Sequence, residues 1–189
     1  MWPYYDENDC KAVLDILKSG KVNYWTGNNC KEFEKEFSEV FKFKYSIALA
    51  NGSFALTAAY MSVGLKEGDE LITTPRTFLA TSSTAVLLGI KPIFVDIDRN
   101  SGAITPESIE KNITKKTKAI SVVHLGGWPA DIDKIVDLAK HYNLKIIEDC
   151  SQAHGAQFKG KSVGTFGDVA SWSFCQDKII STGGEGGMF

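Results

Sequence analysis

Charge of one sign is scarce in this sequence: 21 Lys and Arg against 23 Asp and Glu leave a net charge of −2 over 189 residues. That balance gives no electrostatic footing for nucleic acid or an anionic membrane as a partner. Long apolar runs are also lacking. A stretch such as AVLLGI is far short of the roughly 20 residues that cross a bilayer. The cysteines, Cys10, Cys30, Cys150 and Cys175, form no CxxC pair and no metal-ligand spacing. The opening MWPYYDENDC has neither the basic start nor the apolar core of a secretory signal. These absences point to a reducing, cytoplasmic setting, in which the Asn-x-Ser/Thr triplets at Asn51 and Asn112 have no bearing. There is no internal repeat, low-complexity tract or linker, and no GxGxxG follows a first strand, so a dinucleotide fingerprint is absent. His124 and His154 stand in no acid–histidine–nucleophile order. Cys150 and His154 could be read as a metal pair, but nothing completes the ligand set, and no metal is expected.

What is present is a change of period. Residues 7–19 place Val13, Ile16 and Leu17 on one helical face, and Gly20 ends the run. After the loop VNYWTGNN, a second segment repeats Phe33, Phe37, Val40 and Phe41 at helical spacing. From there strands and helices alternate. YSIALA, ELITTP, KPIFVDI, AISVVHL, KIIED and VASWSF read as strands, and GGMF as the start of a seventh. Helices fall over FALTAAYMSVG, RTFLATSSTAVLLG, PESIEKNI and DIDKIVDLAKHYN. Near-continuously apolar strands separated by helices predict a parallel sheet covered on both faces, in one α/β domain. Ligands of such sheets bind beyond the carboxyl ends of the strands.

That edge gathers the candidate chemistry. Gly52-Ser53 lies between a strand and a helix, where helix-start N–H groups and a hydroxyl can hold a phosphate; the plain alternative is an N-cap by Ser53 or Asn51. Phe78 follows a strand and either stacks on a ring or fills the core. Asp149 closes the apolar strand KIIED and needs a partner. A protonated pyridine nitrogen would supply one and keep the ring an electron sink; the alternative is a structural acid capping a helix through SQAHGA. Glu148 should point to the opposite side of the strand. Lys178 follows the strand SWSF in a glycine-rich setting. It is either a surface lysine or an amine able to form a Schiff base with an aldehyde.

Taken together, WTG near residue 25, NGSFAL, TPRTFLATSSTAV, PIFVDID, HLGGWPADID, IIEDCSQAHGA and SFCQDKIISTGGEGG resemble the DegT/DnrJ/EryC1/StrS family of sugar aminotransferases, fold-type I enzymes that use pyridoxal phosphate (PLP). The resemblance implies a three-layer α/β/α PLP-dependent transferase large domain with a mainly parallel seven-stranded sheet. It also implies Lys178 as the Schiff-base lysine and proton carrier, Asp149 on the pyridine nitrogen, Gln152 near the phenolic oxygen and Phe78 stacked on the ring. Gly52, Ser53 and Ser173 would hold the phosphate. The implied reaction moves an amino group from glutamate or glutamine to a nucleotide-linked keto-sugar, in a homodimer of the full-length form. Other fold-type I PLP enzymes, lyases or synthases, and an inactive PLP-binding fragment are the alternative readings.

Three departures from the family pattern stand out. Cys175 occupies the place of a usual histidine. Lys178 is retained where a dehydrating branch has histidine, which favours transamination. Family members are about twice as long, so residues 1–189 are expected to be an N-terminal segment plus the large cofactor domain, stopping inside its last strand and lacking the small C-terminal domain.

Overall fold

The computed structural model describes residues 2–189, which fall into two compact units, one reaching Ala48 and the other Leu49–Phe189. In the first unit α1 (Glu7–Ser19) starts at a reciprocal cap. Asp6 accepts from the Asp9 backbone at 2.9 Å, and Asp9 returns the contact to the Asp6 N–H at 3.0 Å. The helix ends at Gly20, whose φ of 69° is left-handed. Its predicted face is formed, but Val13 and Leu17 remain exposed. In α2 (Asn29–Phe41) the aromatic repeat is used: Phe37 is buried, with the rings of Phe33, Phe41 and Phe43 4.5–5.9 Å away. Val40 stays exposed instead of joining them.

From Ala48 onward the chain runs β1 (Ala48–Leu49), α3 (Gly52–Ser62), β2 (Glu70–Thr73), α4 (Ala80–Leu87), β3 (Lys91–Phe94), α5 (Pro106–Glu110) and β4 (Thr117–Val123). It continues with α6 (Ile132–Tyr142), β5 (Lys145–Asp149), β6 (Gln157–Phe158), β7 (Lys161–Ser162), β8 (Val169–Ser173) and β9 (Gly187–Met188). Seven strands form one sheet in the order β1-β9-β8-β5-β4-β2-β3. The pairs from β3 through β8 are parallel, and β9 runs antiparallel to β8. Alternation along each strand divides the core between the two faces. Leu71 and Ile147 join Leu56, Tyr60 and Ala85 beneath α3 and α4, while Ile72, Ile120 and Ile146 join Ile109, Ile132 and Ile135 beneath α5 and α6. The result is the three-layer α/β sandwich that the apolar strand pattern predicts.

The differences from expectation are local. YSIALA contracts to Ala48–Leu49, and PESIEKNI yields only the five helical residues Pro106–Glu110. No helix forms over SQAHGA; Ala153 and Ala156 close successive turns, and Gly155 sits at φ 78°. A separate hairpin, β6–β7, was not anticipated. It turns through Lys159 and Gly160 at φ 51° and 77°, the paired left-handed residues that a tight hairpin requires. Among the described residues no helix is long and apolar enough to cross a membrane.

Candidate active site

The carboxyl ends of β4, β5 and β8, the start of α3 and the approach to α4 open onto one cavity of about 540 Å³. Gly52, Ser53, Phe78, Asp149, Gln152, Ser173 and Lys178 all line it. The parallel topology explains the convergence: each of these residues lies at or just beyond the end of a strand, and those ends share one edge.

At the start of α3, Asn51 serves as the cap, its Oδ1 accepting the Phe54 N–H at 2.9 Å. Gly52 and Ser53, within the first turn, have no carbonyl of their own helix to bond. A Cβ on Gly52 would stand 2.7 Å from Ser173 Cβ and 3.1 Å from Ser173 Oγ. Only glycine lets the helix begin so close to the end of β8. The approach brings the first-turn N–H groups and the hydroxyls of Ser53 and Ser173 to one end of the cavity, a setting suited to an anionic group.

Asp149 is 4 % exposed and held at both oxygens. Oδ2 accepts from Thr81 Oγ1 at 2.7 Å, and Oδ1 accepts from Ser151 Oγ at 2.7 Å and its N–H at 3.1 Å. Thr77 Oγ1 lies 2.8 Å from Thr81 Oγ1 and extends the hydroxyl chain along the cavity wall. The carboxylate therefore closes a turn rather than capping a helix, while still facing the cavity. Gln152 Oε1 accepts the Gly126 N–H at 2.9 Å. Phe78, 72 % exposed, is not a core aromatic.

Lys178 is not a surface lysine. Its side chain is 17 % exposed, and Nζ donates to both carboxylate oxygens of Asp177 at 2.8 Å. The ammonium beside it holds the Asp177 carboxyl below the usual carboxylate range.

Behind this wall His124, Glu148 and Cys150 gather their ligand atoms within 4.8 Å of one another, all buried. Glu148 accepts from His124 Nε2 and from three backbone N–H groups, and His124 Nδ1 accepts from Ala130. The polar atoms of Glu148 and His124 are thus engaged with one another and with backbone N–H groups, and burial pushes the Cys150 thiol well up. His154, the other half of the metal pair considered above, packs against Trp172 and Phe174 instead, with ring centroids 5.3 and 5.5 Å away.

The family model for the DegT/DnrJ/EryC1/StrS aminotransferase family matches residues 3–189. The chain belongs to this family. A GDP-perosamine synthase of Escherichia coli O157:H7 is 46 % identical over 162 residues, which is 86 % of this chain and 44 % of the relative. An aminotransferase from Psychrobacter cryohalolentis is 53 % identical, with a TM-score of 0.98 over 100 % of this chain and 48 % of its own. Bacillus subtilis NtdA, solved with bound cofactor PMP, is 33 % identical with a TM-score of 0.87, over 95 % of this chain and 40 % of its own. The chain thus spans about half the length of the relatives it matches. Within this DegT/DnrJ/EryC1/StrS member, Cys175 Sγ sits 3.5 Å from Glu185 Oε1 at the cavity wall.

Sequence reasoning passed over Thr81 and Ser151, although both had a readable signal, hydroxyls within a turn of Phe78 and of Asp149.

Proposed function

We propose that this protein is a PLP-dependent aminotransferase that moves an amino group from glutamate or glutamine to a nucleotide-linked keto-sugar, with residues 1–189 as an N-terminal segment and cofactor-binding large domain. The observation that carries the reading is the joining of a largely buried lysine, a buried carboxylate and a glycine–serine anion cradle in one cavity. The PMP bound in the Bacillus subtilis neighbour supports the cofactor, and the GDP in the name of the Escherichia coli relative supports a nucleotide-linked substrate.

The residues present fit that cofactor. Gly52, Ser53 and Ser173 would hold its phosphate, Asp149 would accept from its protonated ring nitrogen, Gln152 would donate to its phenolic oxygen, and Phe78 would cover its ring. When bound, PLP supplies an electrophilic carbon and a cationic ring that takes up the electron pair released at the substrate carbon. Asp149, braced at Oδ1 and Oδ2, stabilises that cation without reorganising. Lys178 Nζ, as a free amine, takes the proton from the amino donor's α-carbon and returns it on the far side of the transfer. In the full-length form a second copy would complete the site.

The test is the visible spectrum of the protein with PLP, before and after borohydride, beside Lys178→Ala. An absorption band fixed by reduction as a mass adduct on Lys178, and absent from the variant, is expected. No band in this chain or in a full-length form would overturn the cofactor assignment. Release of free ammonia in place of amine transfer to a keto-sugar would move the reaction to a lyase.

A further inference from the structure

Glu148 is wholly buried, one residue before Asp149 and on the opposite face of β5. Its Oε1 accepts the N–H groups of Phe166 at 2.8 Å and Gly167 at 2.7 Å. Its Oε2 accepts that of Gly164 at 2.7 Å and meets His124 Nε2 at 3.0 Å. Every one of these contacts asks the carboxylate to accept, so His124 must place its proton on Nε2. The opposite nitrogen agrees, since Nδ1 accepts the Ala130 N–H at 3.2 Å. The imidazole thus reaches across the loop it begins and ties residue 130 back to β5.

Between those two ties lies a turn with unusual geometry. Residues 125–127 make a 3-10 turn in which Gly126 and Gly127 sit at φ 62° and 79°. The His124 N–H donates to Asp149 O at 3.1 Å, and a Cβ on Gly127 would lie 3.3 Å from Gln152 O. The turn is therefore seated against the strand-end segment 149–152. Its outward product is the Gly126 N–H, which donates to Gln152 Oε1. With that oxygen engaged, the amide group left to the cavity is the NH₂.

We infer that the Glu148–His124 pair is a positioning device for Gln152: it locks the 125–127 turn so that Gly126 captures Gln152 Oε1, and Gln152 meets the cavity as a hydrogen-bond donor. The site is thereby matched to an anionic oxygen at this point and mismatched to a donor. Glu148 and His124 touch no ligand in this account; they act through the turn. A Gln at 148 would place an NH₂ where only acceptors fit. His124 could not compensate by moving its proton, because Nδ1 already faces the Ala130 N–H.

The inference about the cavity rests on the proposed cofactor, but its core can be read without one. In the cofactor-free protein, amide hydrogen exchange at Gly126 should be protected, and Gln152→Ala should speed it about fivefold, the factor of one net hydrogen bond. His124→Gln and Glu148→Gln should each speed it at least as much, and neither should add to Gln152→Ala at that amide. Should both buried variants fail to fold, Gly126→Ala disturbs the turn from outside, since its Cβ meets nothing within 4 Å; exchange at residue 126 should again rise about fivefold, the strain of a left-handed alanine. With PLP added, the visible band in each turn variant should move in the direction seen for Gln152→Ala and not further in the double variant. Exchange at Gly126 unchanged by Gln152→Ala, or additive effects of the two sites, would overturn the inference. A band unmoved while exchange has risen would overturn its link to the cavity. A wild-type protein with no band would refute the cofactor reading alone, leaving the exchange result to decide this one.

Discussion

One added carbon at Gly52 probes the cradle directly. In Gly52→Ala the new Cβ would lie 2.7 Å from Ser173 Cβ, 3.1 Å from its Oγ and 3.3 Å from its Cα, against the 3.4 Å at which ordinary contact begins. Relief requires a movement of about 0.7 Å, and little can yield. β8 is bonded to β5 on one side and β9 on the other, and Ser173 is itself buried. Overpacking of this kind costs about 1–3 kcal/mol, offset by at most about 1 kcal/mol of helix preference for alanine. A net loss of about 1–2 kcal/mol lowers the melting temperature by about 2–8 °C for a chain of this size. PLP affinity should fall about tenfold or more, equivalent to 1.4 kcal/mol or more, because the first-turn N–H groups and Ser173 Oγ no longer converge. Adding Ser173→Gly removes two of the three close atoms. Thermal stability should then recover to within about 1 kcal/mol, the residual cost of glycine in a strand, while affinity stays low because the hydroxyl is gone. A Gly52→Ala protein with wild-type melting temperature and PLP affinity would refute the close approach and with it the cradle.

Thr81→Val deletes the hydroxyl that donates to Asp149 Oδ2 at nearly constant shape; urea unfolding should show a loss of about 1.5–3 kcal/mol, the range for a hydrogen bond to a carboxylate, together with weaker PLP binding. Burial alone would raise the Glu148 carboxyl, but the His124 contact and the backbone N–H groups outweigh it and hold it below its ordinary value of 4.5. Its contribution is therefore full above pH 4.5 and is lost as pH falls through the lower folded value, and Glu148→Gln should remove that acid-side loss while lowering neutral-pH stability by about 3 kcal/mol. Burial pushes His154 down from 6.5 to about 4, so the unfolded chain binds the extra proton between those values and stability falls on acidification across that window, by up to about 3 kcal/mol. His154→Leu should flatten that part of the profile and leave neutral-pH stability level or higher, since neither ring nitrogen has a hydrogen-bond partner among the described residues; a pH profile identical to wild type would refute the assignment.

Legibility from sequence followed the range of the interactions involved. The strand KIIED was readable residue for residue because four of its five positions are consecutively buried in the parallel sheet. The candidate residues converge because they sit at or just beyond strand ends, and parallel topology brings such ends together whatever the loops between them do. Ser53 and Asn51 shared a capping signal, and Asn51 prevails because its carbonyl oxygen reaches the third N–H of α3. The helix over SQAHGA, the alternative reading for Asp149, does not form for a local reason: Asp149 turns its carboxylate onto Ser151, and Gly155 adopts a left-handed turn.

The partners of Glu148 were beyond any such rule. They are backbone N–H groups at residues 164, 166 and 167 and an imidazole at 124, which no window around residue 148 contains. Alternation did indicate that Glu148 points away from Asp149, and that one bit of information proves decisive. Neighbouring carboxylates on one strand are sent to opposite faces of the sheet, so one can be saturated with donors to hold loops while the other keeps its face toward the cavity. If both had faced the cavity, two adjacent anions would compete for one cationic partner, each raising the cost of charging the other. The period of two in a β-strand is thus what separates the structural carboxylate from the one available to chemistry.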